Sequence, residues 1–261
     1  MKELSILKKA ALAGGGILKA KFGKVGYRLK GRANLLTEAD LASQAKVISV
    51  IKAAFPEDGF MAEESDPVET PNRRLWIIDP LDGTTNYAHG FPAAAVSIGF
   101  AERGRVKAAG VYDPFRDELF LARRGGGATL NGRRLRVGSV ASVDKALLVT
   151  GFPYDRAEKA AFYCGFFEEF MKLSHDVRRM GVASLDLCWV AAGRTDGYWE
   201  FGLKPWDVAA GGLIVEEAGG KAGDFSGRPW ASVPAMGAET LAANPRLHAA
   251  MLRLIRRRLR R

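Results

Sequence analysis

The residues with the most chemical promise in this sequence are carboxylates placed at the ends of apolar runs. In Trp76-Ile77-Ile78-Asp79-Pro80-Leu81-Asp82-Gly83-Thr84-Thr85-Asn86 an apolar strand closes on Asp79, and Pro80 is expected to stop it. Asp82 follows three residues later, ahead of a glycine that permits a tight turn. Glu63-Glu64-Ser65 ends another short apolar segment, and Asp207 in Trp206-Asp207-Val208-Ala209-Ala210 falls near the start of a helix. Taken singly, Asp79 and Asp82 read as solvated turn acids and Asp207 as a helix cap. Gathered together, such acids repel one another unless cations neutralise them, and hard divalent ions with oxygen ligands, Mg²⁺ foremost, suit them. Gly83-Thr84-Thr85 adds backbone N–H groups and two hydroxyls in the form of a phosphate cradle. Metal plus phosphate is the chemistry this pattern points to.

Those residues need elements to hold them. Apolar spacing predicts helices over residues 3–21, despite Gly14-Gly15-Gly16, and over 37–55. Apolar runs at 75–78, 94–100, 106–112, 118–122 and 128–137, with Arg103-Gly104 and Asn131-Gly132 as turn signals, predict a mostly antiparallel meander. After residue 140 strands at 146–150 and 196–201 alternate with helices at 156–173, 183–192, 206–218 and from Pro245 onward, which is α/β texture. The expectation is an α+β N-terminal half over residues 1–139, carrying the metal and phosphate motifs. An α/β half over 140–261 carries the substrate-selecting residues and packs tightly against the first.

Glu63-Glu64-Ser65, Asp79-Pro80-Leu81-Asp82-Gly83-Thr84-Thr85-Asn86 and Trp206-Asp207-Val208-Ala209-Ala210-Gly211, followed by Glu216-Glu217-Ala218-Gly219-Gly220, resemble the signatures of the inositol monophosphatase family. They occur in order along nearly the whole chain. The resemblance implies a Mg²⁺-dependent, lithium-sensitive phosphomonoesterase with a layered α-β-α-β-α sandwich of the sugar-phosphatase type. By that similarity Glu63, Asp79 and the Leu81 carbonyl hold one Mg²⁺, Asp79, Asp82 and Asp207 hold a second, and a weaker third leans on Glu63. Leu36-Thr37-Glu38-Ala39-Asp40 resembles the family's helix-start motif, which makes Asp40 and Thr84 the pair that orients the attacking water, with Glu63 beside them. Asp82, Gly83, Thr84 and Asp207 then face the substrate phosphate. Gly181, Ala183 and Glu200 face the substrate's hydroxyls.

The resemblance further implies a small sugar or inositol phosphate as substrate, inositol-1-phosphate first, and a homodimer. Fructose-1,6-bisphosphate, histidinol phosphate and 3′-phosphoadenosine nucleotides are the alternatives within related families. Arg156, Lys159, Arg178 and Arg179 are candidates for a second phosphate, set against the plainer reading of a solvated basic face. The chain departs from the family pattern at Asn34 and Gln44, where acids are usual. Ser184 and Asp186 read equally as capping and packing residues of their helix.

Composition bounds the rest. The 261 residues are 48% hydrophobic and carry a net charge of +10. Residues 1–32 contribute +8 and the last nine residues six arginines, so 33–252 sum to −4. A basic protein with an acidic body argues against reading the whole surface as a nucleic-acid binder. The final helix, with Leu247, Met251, Leu254 and Ile255 as an apolar stripe and Arg253, Arg256, Arg257, Arg258, Arg260 and Arg261 beside it, offers one different function: contact with RNA or the ribosome. The plainer reading is arginines matched to a helix C-terminus. Cys164 and Cys188 read as reduced core residues of a cytoplasmic protein. His89, His175 and His248 lack zinc spacing, Gly125-Gly126-Gly127 reads as a turn, and no apolar run is long enough to span a membrane.

Overall fold

The computed structural model describes residues 2–31, 34–68 and 73–260. The chain opens with α1 (Lys2–Lys21), a hairpin of β1 (Tyr27–Leu29) and β2 (Leu35–Thr37), and α2 (Glu38–Lys52). There follow β3 (Gly59–Ala62), β4 (Arg74–Asp82), the short α3 (Thr84–Ala88), β5 (Ala95–Glu102), β6 (Arg105–Asp113), β7 (Glu118–Arg123), β8 (Gly127–Leu130) and β9 (Arg133–Arg134). The second half comprises β10 (Leu147–Thr150), α4 (Arg156–Leu173), β11 (Asp176–Arg178), α5 (Ala183–Ala191), β12 (Gly197–Phe201), α6 (Pro205–Glu217), β13 (Lys221–Gly223), β14 (Glu239–Ala243) and α7 (Pro245–Leu259).

Strands β3 to β9 form a seven-stranded sheet in sequence order, antiparallel except where β3 lies parallel to β4. The second sheet runs β11-β10-β12-β14-β13. Side-chain alternation distributes these strands among three cores. Trp76 and Ile78 of β4 pack with Leu7, Leu18 and Val47 of α1 and α2. Ile77, between them, points the other way, into a core shared with α5, α6 and Val149 and Tyr198 of the second sheet. Leu148 and Trp199 turn to a third core under α4 and α7, with Phe166, Phe170 and Met251. The order α1/α2, sheet, α5/α6, sheet, α4/α7 is the expected α-β-α-β-α sandwich. Both sheets are buried on two faces, which is why their strands read as apolar runs.

The glycines that weaken α1 as a sequence pattern are contact positions. A Cβ on Gly14 would stand 2.8 Å from Val47 Cγ2, and one on Gly15 would collide with the Tyr112 ring. Close packing of α1 against α2 and β6 compensates for their low helix propensity. The expected run at 128–137 is broken at Asn131-Gly132 into β8 and β9, because both residues adopt positive φ. Gly125-Gly126-Gly127 is the turn between β7 and β8, and Glu217 of α6 accepts the Gly125 and Gly127 N–H groups at 2.8 Å each. One expectation is corrected. Cys164 is exposed on α4 while Cys188 is buried: the first has apolar sequence neighbours but lies on the outward face of its helix. His248 is buried, on the inward face of α7. Among the described residues no helix is long and apolar enough to cross a membrane.

Candidate active site

Asp79 and Asp82 both lie within β4, which does not stop at Pro80. Positions three apart in a regular strand face opposite sides. Here Asp79 pairs with Ser97 and Asp82 with Ala95, so one extra residue is accommodated on β4. This bulge swings Asp82 to the same cavity as Asp79. Pro80 sits in the bulge, where no ladder N–H is required, and its carbonyl accepts the Ser43 hydroxyl of α2 at 2.8 Å.

Neighbouring elements supply the other acids by register. The Glu63 N–H donates to the Ile78 carbonyl at 3.1 Å, extending the β3–β4 pairing by one residue and setting Glu63 beside Asp79. Ser97, opposite Asp79, donates its hydroxyl to the Trp206 carbonyl at 3.2 Å and so pins the start of α6. Asp207 follows, with one carboxylate oxygen accepting the Lys204 N–H at 2.7 Å. It is therefore a helix cap and a cavity-lining acid at once.

Glu63, Asp79, Leu81, Asp82 and Asp207 line one cavity of about 570 Å³. Gly83, Thr84, Gly181, Ala183 and Glu200 line it as well. Among the described residues no three acid, His or Cys side chains close on one point as a ready cage. The acids instead form a wall and sense one another through charge. Burial, reinforced by Glu63, Asp82 and Asp207, holds the Asp79 carboxyl well above the usual range. Asp207 is raised by burial and then by Asp82. Asp82 rises only to about 6, because the Ser184 N–H at 2.7 Å and the Ala183 and Gly83 N–H groups oppose its burial. Burial raises Glu63 to about 7 against the pull of Lys30. Hard oxygen donors with unbalanced negative charge fit Mg²⁺, which takes few protein ligands and keeps several waters.

Asp40 stands behind Thr84 and not in the cavity wall. It is the third residue of α2, and its Oδ2 accepts the Thr37 N–H and hydroxyl at 2.7 and 2.6 Å, closing a capping box. Its Oδ1 is left for the Thr84 hydroxyl, which donates to it at 3.1 Å and has the Leu81 carbonyl at 2.9 Å. Gly83 has φ +91°, and a Cβ there would come within 2.9 Å of the Ala93 carbonyl, so glycine is required for this turn. Glu200 accepts the Tyr198 hydroxyl at 2.5 Å and is pushed up to about 7 by burial.

Several residues enter that spacing does not reveal. Lys30, at the tip of the β1–β2 hairpin, donates to Glu63 at 3.1 Å and Glu64 at 2.6 Å. Tyr154 lines the cavity from the loop after β10. Neither carries a sequence signal, since one is a lone lysine in a basic segment and the other follows an ordinary strand end. Gln44 accepts the Glu64 N–H at 3.1 Å, and the Asn34 carbonyl accepts the Lys30 N–H at 2.8 Å. Gln44 thus supports the acid wall from outside, while Asn34 lines the cavity and holds Lys30 through its backbone carbonyl. The turn at Gly181 is corrected in part: the Ser184 N–H is spent on Asp82, and Asp186, buried with both carboxylate oxygens unbonded, caps nothing.

The layered sandwich, with Glu63, Asp79, Asp82, Asp207 and a threonine turn lining one cavity, is the architecture of the inositol monophosphatase structures, a family of phosphatases. The chain belongs to the inositol monophosphatase family, whose model matches residues 2–260. It is 42% identical over 253 residues to the Nus factor SuhB of Salmonella typhimurium, covering 95% of this chain and 94% of that one. It is 48% identical over 223 residues to the inositol-1-monophosphatase of Synechocystis sp., covering 83% and 77%. The solved inositol monophosphatase from Anabaena (Nostoc) sp. superposes with a TM-score of 0.86 at 41% identity, covering 98% of this chain and 96% of that chain.

Proposed function

We propose that this chain hydrolyses a phosphate monoester of a small polyol, inositol-1-phosphate, releasing inositol and phosphate. The observation that carries the reading is the Thr84–Asp40 hydrogen bond set directly behind a wall of carboxylates. Glu63, Asp79 and the Leu81 carbonyl would hold one Mg²⁺, and Asp79, Asp82 and Asp207 another. When bound, Mg²⁺ supplies Lewis acidity that acidifies water and neutralises charge on the ester.

The protein's own groups do the remainder. The Thr84 oxygen would accept a proton from the attacking water while its own hydroxyl proton passes to Asp40 Oδ1, leaving Thr84 neutral and Asp40 protonated. Asp40 is suited to this because burial raises its carboxyl while Thr37 anchors its other oxygen. The water attacks phosphorus in line, the ester oxygen leaves with the polyol, and no covalent enzyme intermediate is formed. Glu200, held by Tyr198, accepts from polyol hydroxyls. The same reading carries lithium sensitivity, a cytoplasmic location and a homodimer. The test is phosphate release from inositol-1-phosphate with and without Mg²⁺; turnover in the presence of chelator refutes it.

A second reading rests on α7 and on relatives named Nus factor. Arg246 and Arg253 on α7, and Arg260 just past its end, stand exposed without an acid partner among the described residues. Arg261 lies outside the described residues. Salt-dependent retention of RNA by the full chain, lost when these three exposed arginines become Gln, supports an RNA contact. Retention that survives the change places the contact elsewhere.

A further inference from the structure

The outer helical layer formed by α1 and α2 carries a charge that the cavity does not use. The two helices hold seven lysines and no arginine, against three acids. Those acids are engaged elsewhere or stand at the edge. Glu3 is turned to Arg74, Asp40 is buried against Thr37 and Thr84, and Glu38 lies 3.9 Å from Lys21. Lys2 and Lys52 lean on the rings of Phe55 and Phe60. Lys8, Lys9 and Lys19 of α1 and Lys46 of α2 are exposed, with no ion pair or side-chain hydrogen bond among the described residues.

Helical period explains why these charges share a face. Leu7, Ala10, Ala11 and Leu18 turn inward against the seven-stranded sheet, which leaves Lys8, Lys9, Leu12, Gly16 and Lys19 outward. α2 buries Ala39, Val47 and Ile51 in the same core and shows Leu41, Ala45 and Lys46 to the outside. The helices run antiparallel: Lys2 donates to the Ala54 carbonyl at one end, and Lys21 meets Glu38 at the other. Their exposed sides therefore make one strip, as long as the 20 residues of α1, or about 30 Å. Leu12 at 37% and Leu41 at 40% exposure stand among its lysines.

We propose that this face docks on the surface of an anionic lipid bilayer, the lysines meeting the headgroup charge and Leu12 and Leu41 entering the interface. A diffuse negative surface is met by compact ammonium groups on long apolar stems, which lie along the helices while their heads reach outward. The exposed leucines favour lipid over nucleic acid, since they gain from acyl chains and gain nothing from a sugar-phosphate backbone. Nucleic-acid surfaces draw on arginine forks for phosphate and on aromatic rings for stacking, and α1 and α2 contain neither. Residues 33–252 sum to −4, so an anionic surface repels the body while it attracts the N-terminal layer, and the charge sets the orientation of docking.

The test is co-sedimentation of the full chain with phosphatidylglycerol vesicles and, separately, with phosphatidylcholine vesicles. Binding to the first at low salt, fading as salt rises, and none to the second is expected. Replacing Lys8, Lys9 and Lys19 together by Gln should weaken it on the order of a hundredfold, and Leu12→Asn should weaken it several-fold. The single variants Lys8→Gln and Lys46→Gln, each expected to lose about fivefold, decide the matter if the triple variant melts early. Replacing Arg246, Arg253 and Arg260 by Gln should leave vesicle binding unchanged. The proposal is overturned if the intact chain ignores phosphatidylglycerol vesicles, binds both lipids alike, or binds undiminished after the lysine changes. Loss in the arginine variant instead moves the contact to α7. RNA retention that disappears with Lys8, Lys9 and Lys19 while vesicle binding persists assigns the face to nucleic acid, and either result rejects the bilayer.

Discussion

The Thr84 hydroxyl donates to Asp40 Oδ1 at 3.1 Å, joining the turn after β4 to the first turn of α2 across 44 positions of sequence. Asp40's other oxygen caps its own helix, so a single carboxylate fixes the helix and directs the threonine. Asp40→Asn keeps an amide oxygen for one of these tasks but loses the charge. We expect kcat to fall on the order of a hundredfold with KM little changed, since the lost function is proton transfer. Thr84→Ala should match it, and the double variant should be no worse than either single. Steady-state kinetics on the three variants checks this, and losses that multiply mean that the two residues act separately.

Asp79 should trade stability for activity. Its carboxyl is fully buried, raised by Glu63, Asp82 and Asp207, and accepts one bond from the Leu81 N–H at 3.0 Å. Asparagine keeps that acceptor and removes the repulsion. In chelator, Asp79→Asn should be more stable than the parent by about 1 kcal/mol, while turnover drops at least about a hundredfold and the thermal gain on adding Mg²⁺ shrinks. Thermal unfolding with EDTA and with Mg²⁺ reads both signs, and a destabilised variant contradicts the repulsion argument.

Two buried groups outside the acid wall should give stability opposite pH slopes. Glu200 is raised from 4.5 to about 7, so the folded chain holds its proton more tightly. Its contribution is complete below pH 4.5 and is lost as pH rises through 7. Burial lowers His248 from 6.5 to about 4, so its contribution is complete above pH 6.5 and is lost as pH falls through 4. Glu200→Gln should therefore flatten the alkaline limb of a stability profile, and His248→Gln the acid limb. Denaturant unfolding from pH 4 to pH 8 in chelator measures each slope.

Much of this site was legible because its parts are short and local. Asp79, Asp82 and Gly83 fall together at the end of β4, Thr37 and Asp40 share one capping box, and Asp207 follows a helix-starting Pro205. The bulge at Pro80 was not legible, since proline in an apolar run reads as a stop until β5 is seen to continue past it. Lys30 and Tyr154 come to the cavity only through the β1–β2 hairpin and the loop after β10. The short strands β11 and β13 were missed because three residues carry no period. Cys164 was misplaced for a related reason: apolar sequence neighbours do not say which face of a helix a residue occupies.

The end of α7 should prove structural before anything else. Arg256 donates to the Phe225 carbonyl at 3.0 Å and also to the Ser226 carbonyl, Arg257 pairs with Glu169 of α4, and Arg258 lies over Gly165. These contacts close the last turn over Ile255, which is fully buried in the third core. Removing residues 256–261 strips those carbonyls of their donors and leaves Ile255 at a fraying terminus. The melting temperature should fall on the order of 5 °C, with kcat/KM at low temperature retained because the cavity is remote from α7. Replacing Arg246, Arg253 and Arg260 together by Gln should leave the melting temperature within about 1 °C, since exposed unpaired arginines contribute little to stability. Calorimetry on the two variants separates the roles, and equal losses would mean that the exposed arginines also hold the fold.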